Sequence, residues 1–130
     1  MKKVFLSFAC QDAEKIKRLL PDLESGDYEL IFYDGFLAVD AQGKEAAEVK
    51  NKIGEKIVQS QLTLCLIGEN TFRDKWVDCQ LEKSRAKGNR IIAMALKGVQ
   101  EAVLPDLLRE ENLVFQRWDP FKLRRLISEK

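Results

Sequence analysis

Leu62-Thr63-Leu64-Cys65-Leu66-Ile67-Gly68 decides how the rest of the chain folds. Its first six positions run apolar, without the alternation of a half-wetted strand, so both faces must be covered. The glycine closes the run. Strands of this kind belong to parallel sheets, whose crossovers are usually helical. Upstream, Ala46, Val49, Ile53 and Ile57 recur at helical spacing over 46–60. Downstream, 76–87 reads as a helix ended by the pair Gly88-Asn89, and Arg90-Ile91-Ile92-Ala93-Met94-Ala95 is a second buried strand.

The same alternation extends to both ends. A β-leaning run over 3–8 predicts the first strand; Asp12 is placed to cap a helix with Ile16, Leu19 and Leu20 on one face, ended or bent by Pro21. Gly26-Asp27 introduces a strand over 29–33, followed by a loop over 34–44 with no helical period. Loops of that length in a compact domain are often functional. Pro105 to Leu108 reads as a helical turn, 113–115 as a short last strand, and 120–127 as a terminal helix docking through Phe121, Leu123 and Leu126. The expectation is one α/β domain over 1–130, with 118–130 as its docking segment and a parallel sheet covered on both faces.

Composition narrows the function classes. Lys and Arg total 22 against 21 Asp and Glu, a net charge of +1, so no long-range field draws in nucleic acid or an anionic membrane. The cluster Lys122, Arg124, Arg125 is too short to change that. Met1-Lys2-Lys3 resembles the start of an export signal, but the apolar run after it is shorter than the ~7–15 residues such a signal needs. Nor does any stretch approach the ~20 apolar residues of a membrane span. Cys10, Cys65 and Cys79 show no paired spacing, Cys65 reads as a core residue, and the expected compartment is the reducing cytoplasm. The chain has no histidine, which removes every His-based triad, His general base and common zinc site.

In parallel sheets ligands bind outside the carboxyl ends of the strands, at the switch point in strand order. Those ends fall at 7–12, 34–43 and 68–71. Phe8-Ala9-Cys10 offers no glycine for a dinucleotide fingerprint or a P-loop. Ser7-Phe8 and Ile67-Gly68 stand where a phospho-receiver needs acids, and a hydroxyl- and glycine-rich flavin phosphate loop is missing after the first strand.

The remaining words are Val4-Phe5-Leu6-Ser7-Phe8 before Asp12; Leu64-Cys65-Leu66-Ile67-Gly68-Glu69-Asn70-Thr71; Lys75-Trp76-Val77-Asp78-Cys79-Gln80-Leu81-Glu82-Lys83-Ser84; and Lys87-Gly88-Asn89-Arg90-Ile91-Ile92. In that order, over about 3–96, they resemble the TIR-like family of bacterial and archaeal proteins, including the TIR-like sensor subunits of Thoeris anti-phage systems. The resemblance implies a flavodoxin-like three-layer sandwich with about five parallel strands. It also implies cleavage of NAD+ as substrate, with no prosthetic group and no metal. Nicotinamide is released, and the ADP-ribose-derived product signals to an effector protein. A phage trigger and self-association belong to the same picture. The chemistry suits a chain without histidine: nicotinamide leaves from an oxocarbenium-like ribose that one carboxylate can stabilise.

The glutamate expected to do this lies four residues after the helix tryptophan, and that position is Gln80. Trp76 and Gln80 share one side of the helix, with Val77, Leu81 and Ser84 on the adjacent core stripe. Glu82 falls ~200° around from Gln80, with Asp78 and Arg85 on the solvated face. Glutamine keeps the size and hydrogen bonds of glutamate but loses its charge, so this chain is expected to be inactive. A change introduced to trap a ligand and a naturally silent member both fit; the otherwise intact motif favours the former. The remaining substrate-binding candidates are Ser7, Phe8, Tyr33, Asp34 and Trp76, with Lys44 and Arg73 as weaker partners for a pyrophosphate. Each has a plainer reading: Phe8 as a core aromatic, Ser7 as a helix cap, Trp76 as a lid on the 34–44 loop. The alternative function is a catalytically silent protein–protein interaction module. A nucleoside deoxyribosyltransferase-like enzyme is disfavoured by the Trp-Val-x-x-Gln block.

Overall fold

The computed structural model describes residues 1–110 and 115–129. Along the chain run β1 (Lys2–Ser7), α1 (Ala13–Leu23), β2 (Tyr28–Ile31), α2 (Ala46–Val58), β3 (Leu62–Ile67), α3 (Lys75–Lys87), β4 (Arg90–Ala95), α4 (Asp106–Glu110), β5 (Phe115–Gln116) and α5 (Pro120–Ser128). The five strands described pair in parallel and the sheet order is β2-β1-β3-β4-β5. This is the flavodoxin-like order, with its switch point between β1 and β3. The register sets Ser7, last in β1, beside Cys65 of β3.

All six residues of β3 are buried, as an unalternating apolar strand in the middle of a covered sheet must be. Successive side chains face opposite layers. Leu62, Leu64 and Leu66 join a cluster that includes Ile16 and Leu23 of α1 and Leu123 and Ile127 of α5. Cys65 and Ile67 join Val77 and Leu81 of α3 and Leu108 of α4. α1 packs on α5, while α3 packs on both α2 and α4, completing the three layers.

Several local expectations are corrected. Asp12 stands at the N-cap of α1 but makes no capping hydrogen bond; a 3-10 turn over Cys10–Asp12 leads into the helix instead. Pro21 sits inside α1, which runs on to Leu23. β2 is shorter than its apolar run and stops at Ile31, before Tyr33. Phe121 does not dock: it is 76% exposed, under the Arg124 guanidinium at 5.5 Å, and Ile127 is buried alongside Leu123. The last strand is Phe115–Gln116; Leu113 and Val114 of the expected strand lie outside the described residues. Among the described residues no helix is long and apolar enough to cross a membrane.

Candidate functional site at the switch point

β1 and β3 deliver Ser7 and Cys65 side by side at the carboxyl edge, and α3 crosses above them. Asp74 fixes where α3 starts. Its Oδ1 accepts the backbone N–H of Trp76 (2.8 Å) and of Val77 (3.1 Å), satisfying two donors that a helix N-terminus leaves open. Its Oδ2 accepts the N–H of Cys10 at 3.0 Å, tying the exit of β1 to the same carboxylate. At the other end Gly88, at φ 90°, closes the helix with its N–H on Ser84 and Arg85 carbonyls.

So held, α3 buries Trp76, Val77, Gln80, Leu81 and Ser84, and leaves Glu82 exposed. Gln80 is fully buried and its Oε1 accepts the Ser7 hydroxyl at 2.6 Å. Its Nε2 has no hydrogen-bond partner. Beside the pair, burial pushes the Cys65 thiol up to about 12, against the opposing effect of its contact with the Ser7 hydroxyl. The site is therefore fully buried and built around one amide with two unmet donor hydrogens.

Aromatic rings close the pocket. Phe8 meets Phe32 edge-on at 6.0 Å and Phe36 at 5.4 Å, and Phe36 meets Trp76 at 6.1 Å. Phe36 comes from the 34–44 loop, which is pinned by Trp76 Nε1–H donating to the Val39 carbonyl (2.8 Å) and by the Cys10 thiol on Leu37 O (3.4 Å). Outside Trp76 lies a cleft of about 280 Å³ lined by Val39, Asp40, Asn70, Arg73 and Lys75 among others.

A second set of bonds stitches the loops that follow β1 and β3. The Thr71 hydroxyl accepts Gly68 N–H at 2.7 Å and reaches Asp12 Oδ2 at 3.4 Å; Asn70 donates to Gln11 at 3.2 Å. A Cβ at Gly68 would stand 2.3 Å from Asp12 Oδ2, so a larger residue there would displace the Asp12 carboxylate. Burial raises the Asp12 carboxyl; the Thr71 bond and Lys15 oppose this, while Asp74 and Glu69 add to it.

Of the residues singled out in sequence, Ser7, Phe8, Trp76 and Gln80 converge. Tyr33 packs at the margin of the core with its ring against Gly35, and Asp34 is exposed, its carbonyl accepting Leu37 N–H in a turn. Arg73 lines the cleft with its guanidinium 4.9 Å from the Phe72 ring, whereas Lys44 is simply exposed. Asp74, Thr71 and Phe36 were missed. Asp74 carried a readable signal, an acid just before a helix; Phe36, one aromatic in a loop, carried none.

A five-stranded parallel sheet in this order, covered by helices, defines the flavodoxin-like class of α/β domain. The profile described as "Thoeris protein ThsB, TIR-like domain" matches residues 5–101, and the chain belongs to that family. Two solved structures share the fold. A CMP N-glycosidase from Clostridium botulinum, BcmB, is 16% identical with a TM-score of 0.60, covering 98% of this chain and 100% of that one. The TIR domain of the Toll-related receptor TRR-2 from Hydra magnipapillata is 21% identical with a TM-score of 0.60, covering 95% and 89%. No curated protein sequence matches the chain.

Proposed function

We propose that this chain is the NAD+-cleaving TIR-like domain of a Thoeris-type anti-phage system, disarmed at position 80. The observation that carries the reading is the buried Ser7–Gln80 pair, whose Nε2 is left without a partner at the switch point. With glutamate at 80, Ser7 would hold one carboxylate oxygen and the second would face the pocket. There it would receive a ribose hydroxyl and stabilise positive charge developing at C1′. The C1′–N bond breaks, its electron pair returns to the nicotinamide ring, and water or a substrate hydroxyl adds at C1′. Glutamine still orients the hydroxyl but supplies no charge, a deficit of roughly 3–4 kcal/mol in barrier by analogy with deleting one preorganised electrostatic contact.

The N-glycosidase neighbour supports the same bond class, an N-ribosyl bond in a nucleotide, so CMP is the natural second substrate to assay. Full burial of Ser7 and Gln80 means that substrate reaches them only when the structure around them opens. That requirement fits an enzyme that waits for a phage-derived trigger or for self-association in the cytoplasm, and whose nucleotide product reaches a separate effector.

The test compares this chain with Gln80→Glu for nicotinamide release from NAD+ and cytosine release from CMP, with and without infected-cell extract as trigger. Gln80→Glu is expected to exceed the starting chain by roughly 100–1,000-fold on one of them. No release by either form leaves the silent interaction module as the reading. Equal release by both moves the working carboxylate elsewhere.

A further inference from the structure

A second cavity lies away from the switch point. It measures about 480 Å³ and opens at the carboxyl ends of β4 and β5. That is within the ~300–1,000 Å³ typical of small-molecule sites. Its floor is apolar: Ala95 and Leu96 are buried, and Val99 and Trp118 are half-buried. Among the described residues its charged lining is Lys97 and Arg117. Glu69 and Glu101 line an adjoining cleft that shares Gly98 and Gln100 with it. Gly98, at φ 88°, makes the tight turn in which Val99 N–H returns to the Leu96 carbonyl, so the rim next to Lys97 has a defined shape.

An apolar floor with an indole, beside the two cations Lys97 and Arg117, suits a planar ring bearing an anionic group. Stacking on Trp118 would hold the ring, and Lys97 and Arg117 would hold the anion. We propose that this cavity is a second ligand site, for a mononucleotide phosphate, separate from the pocket at Gln80. None of the residues lining this cavity is among those around Gln80, so the proposal stands whether or not position 80 cleaves anything.

The probes are AMP, adenosine and inorganic phosphate, titrated into the intact chain while backbone amide resonances and binding heat are followed. AMP is expected to saturate and to shift resonances over 95–102 and 115–118. Adenosine and phosphate should each bind at least about tenfold more weakly, because each lacks one half of the recognition. The double variant Lys97→Gln, Arg117→Gln changes two surface side chains and should fold normally; its AMP affinity should fall by about tenfold or more. Trp118→Tyr, which keeps a stacking face, should retain binding. AMP that fails to saturate, shifts confined to residues around Ser7 and Gln80, or undiminished affinity in the double variant would each overturn the proposal.

Discussion

At the scale of single residues, Ser7 and Gln80 carry the site, and their bond makes separable predictions. Ser7→Ala leaves a buried carbonyl oxygen without its donor and should cost about 1–3 kcal/mol in urea unfolding. Pairing Ser7→Ala with Gln80→Leu removes both polar partners, so the double variant should be less destabilised than the sum of the two single changes. A larger loss would mean that the pair is not an isolated unit. Gln80→Glu places a carboxyl in the same buried site with no cation beside it, and burial should raise its pKa above the ordinary ~4.3. A raised native pKa means that the folded state holds the proton more tightly. Stability relative to the Gln80 chain is then greatest at low pH and is lost as pH rises through the native value. Cleavage needs the ionised form and should climb over the same range, so denaturation midpoints and nicotinamide release should move in opposite directions. Cys65, fully buried with its thiol pushed to about 12, should resist alkylation at pH 8 in the native state and react once unfolded. Mass mapping of alkylated peptides reads both states.

At the scale of elements, α3 sets the geometry of the site. Its apolar stripe was legible because Trp76, Val77, Leu81 and Ser84 follow the helical period and Glu82 does not. Where it begins was readable too, from the acid at 74, but not that this acid caps its helix while Asp12 does not. Asp12 and Asp74 are both acids placed just before an apolar helix, and the local pattern cannot say which of them caps. The difference is tertiary: Asp74 meets the exit of β1 and the first turn of α3, while Asp12 is drawn across to Thr71. Of the two outcomes expected at Pro21, an end or a bend, the end does not occur, since Leu23 packs into the core and carries α1 past it. Asp74→Ala should cost about 1–2 kcal/mol, the scale of losing a helix cap, with a further loss from the freed Cys10 N–H. The checkable signature is a change at Cys10. In the variant its amide should exchange with solvent markedly faster, whereas Ala at Gly88, also a helix end, should destabilise α3 without touching that amide.

For the whole molecule, a covered parallel sheet was readable from β3 and β4, but the order β2-β1-β3-β4-β5 was not. Alternating strands and helices fit several orders equally, and only the resemblance of the motif words singled one out. That order brings the loops after β1 and β3 together, and with them a group of acids that a net charge of +1 conceals. Asp12 is raised first by burial, then by Asp74 and Glu69, against Thr71 and Lys15; Asp78, nearby on α3, is raised by burial and by its own acidic neighbours, against Lys75. The folded chain thus binds protons here more tightly than the unfolded one. The stabilising contribution of Asp12 is complete below its unfolded pKa of ~3.9 and declines as pH rises through its higher native value. Asp12→Asn keeps an oxygen for the Thr71 hydroxyl and removes the titration. Its unfolding midpoint relative to the parent should therefore improve between pH 4 and pH 7, with the two curves running parallel above that. If the parent instead gained on Asp12→Asn as pH rose, the native state would favour the charged carboxylate. Asp12 would then have to be held by a cation or a donor stronger than Thr71 and Lys15 supply.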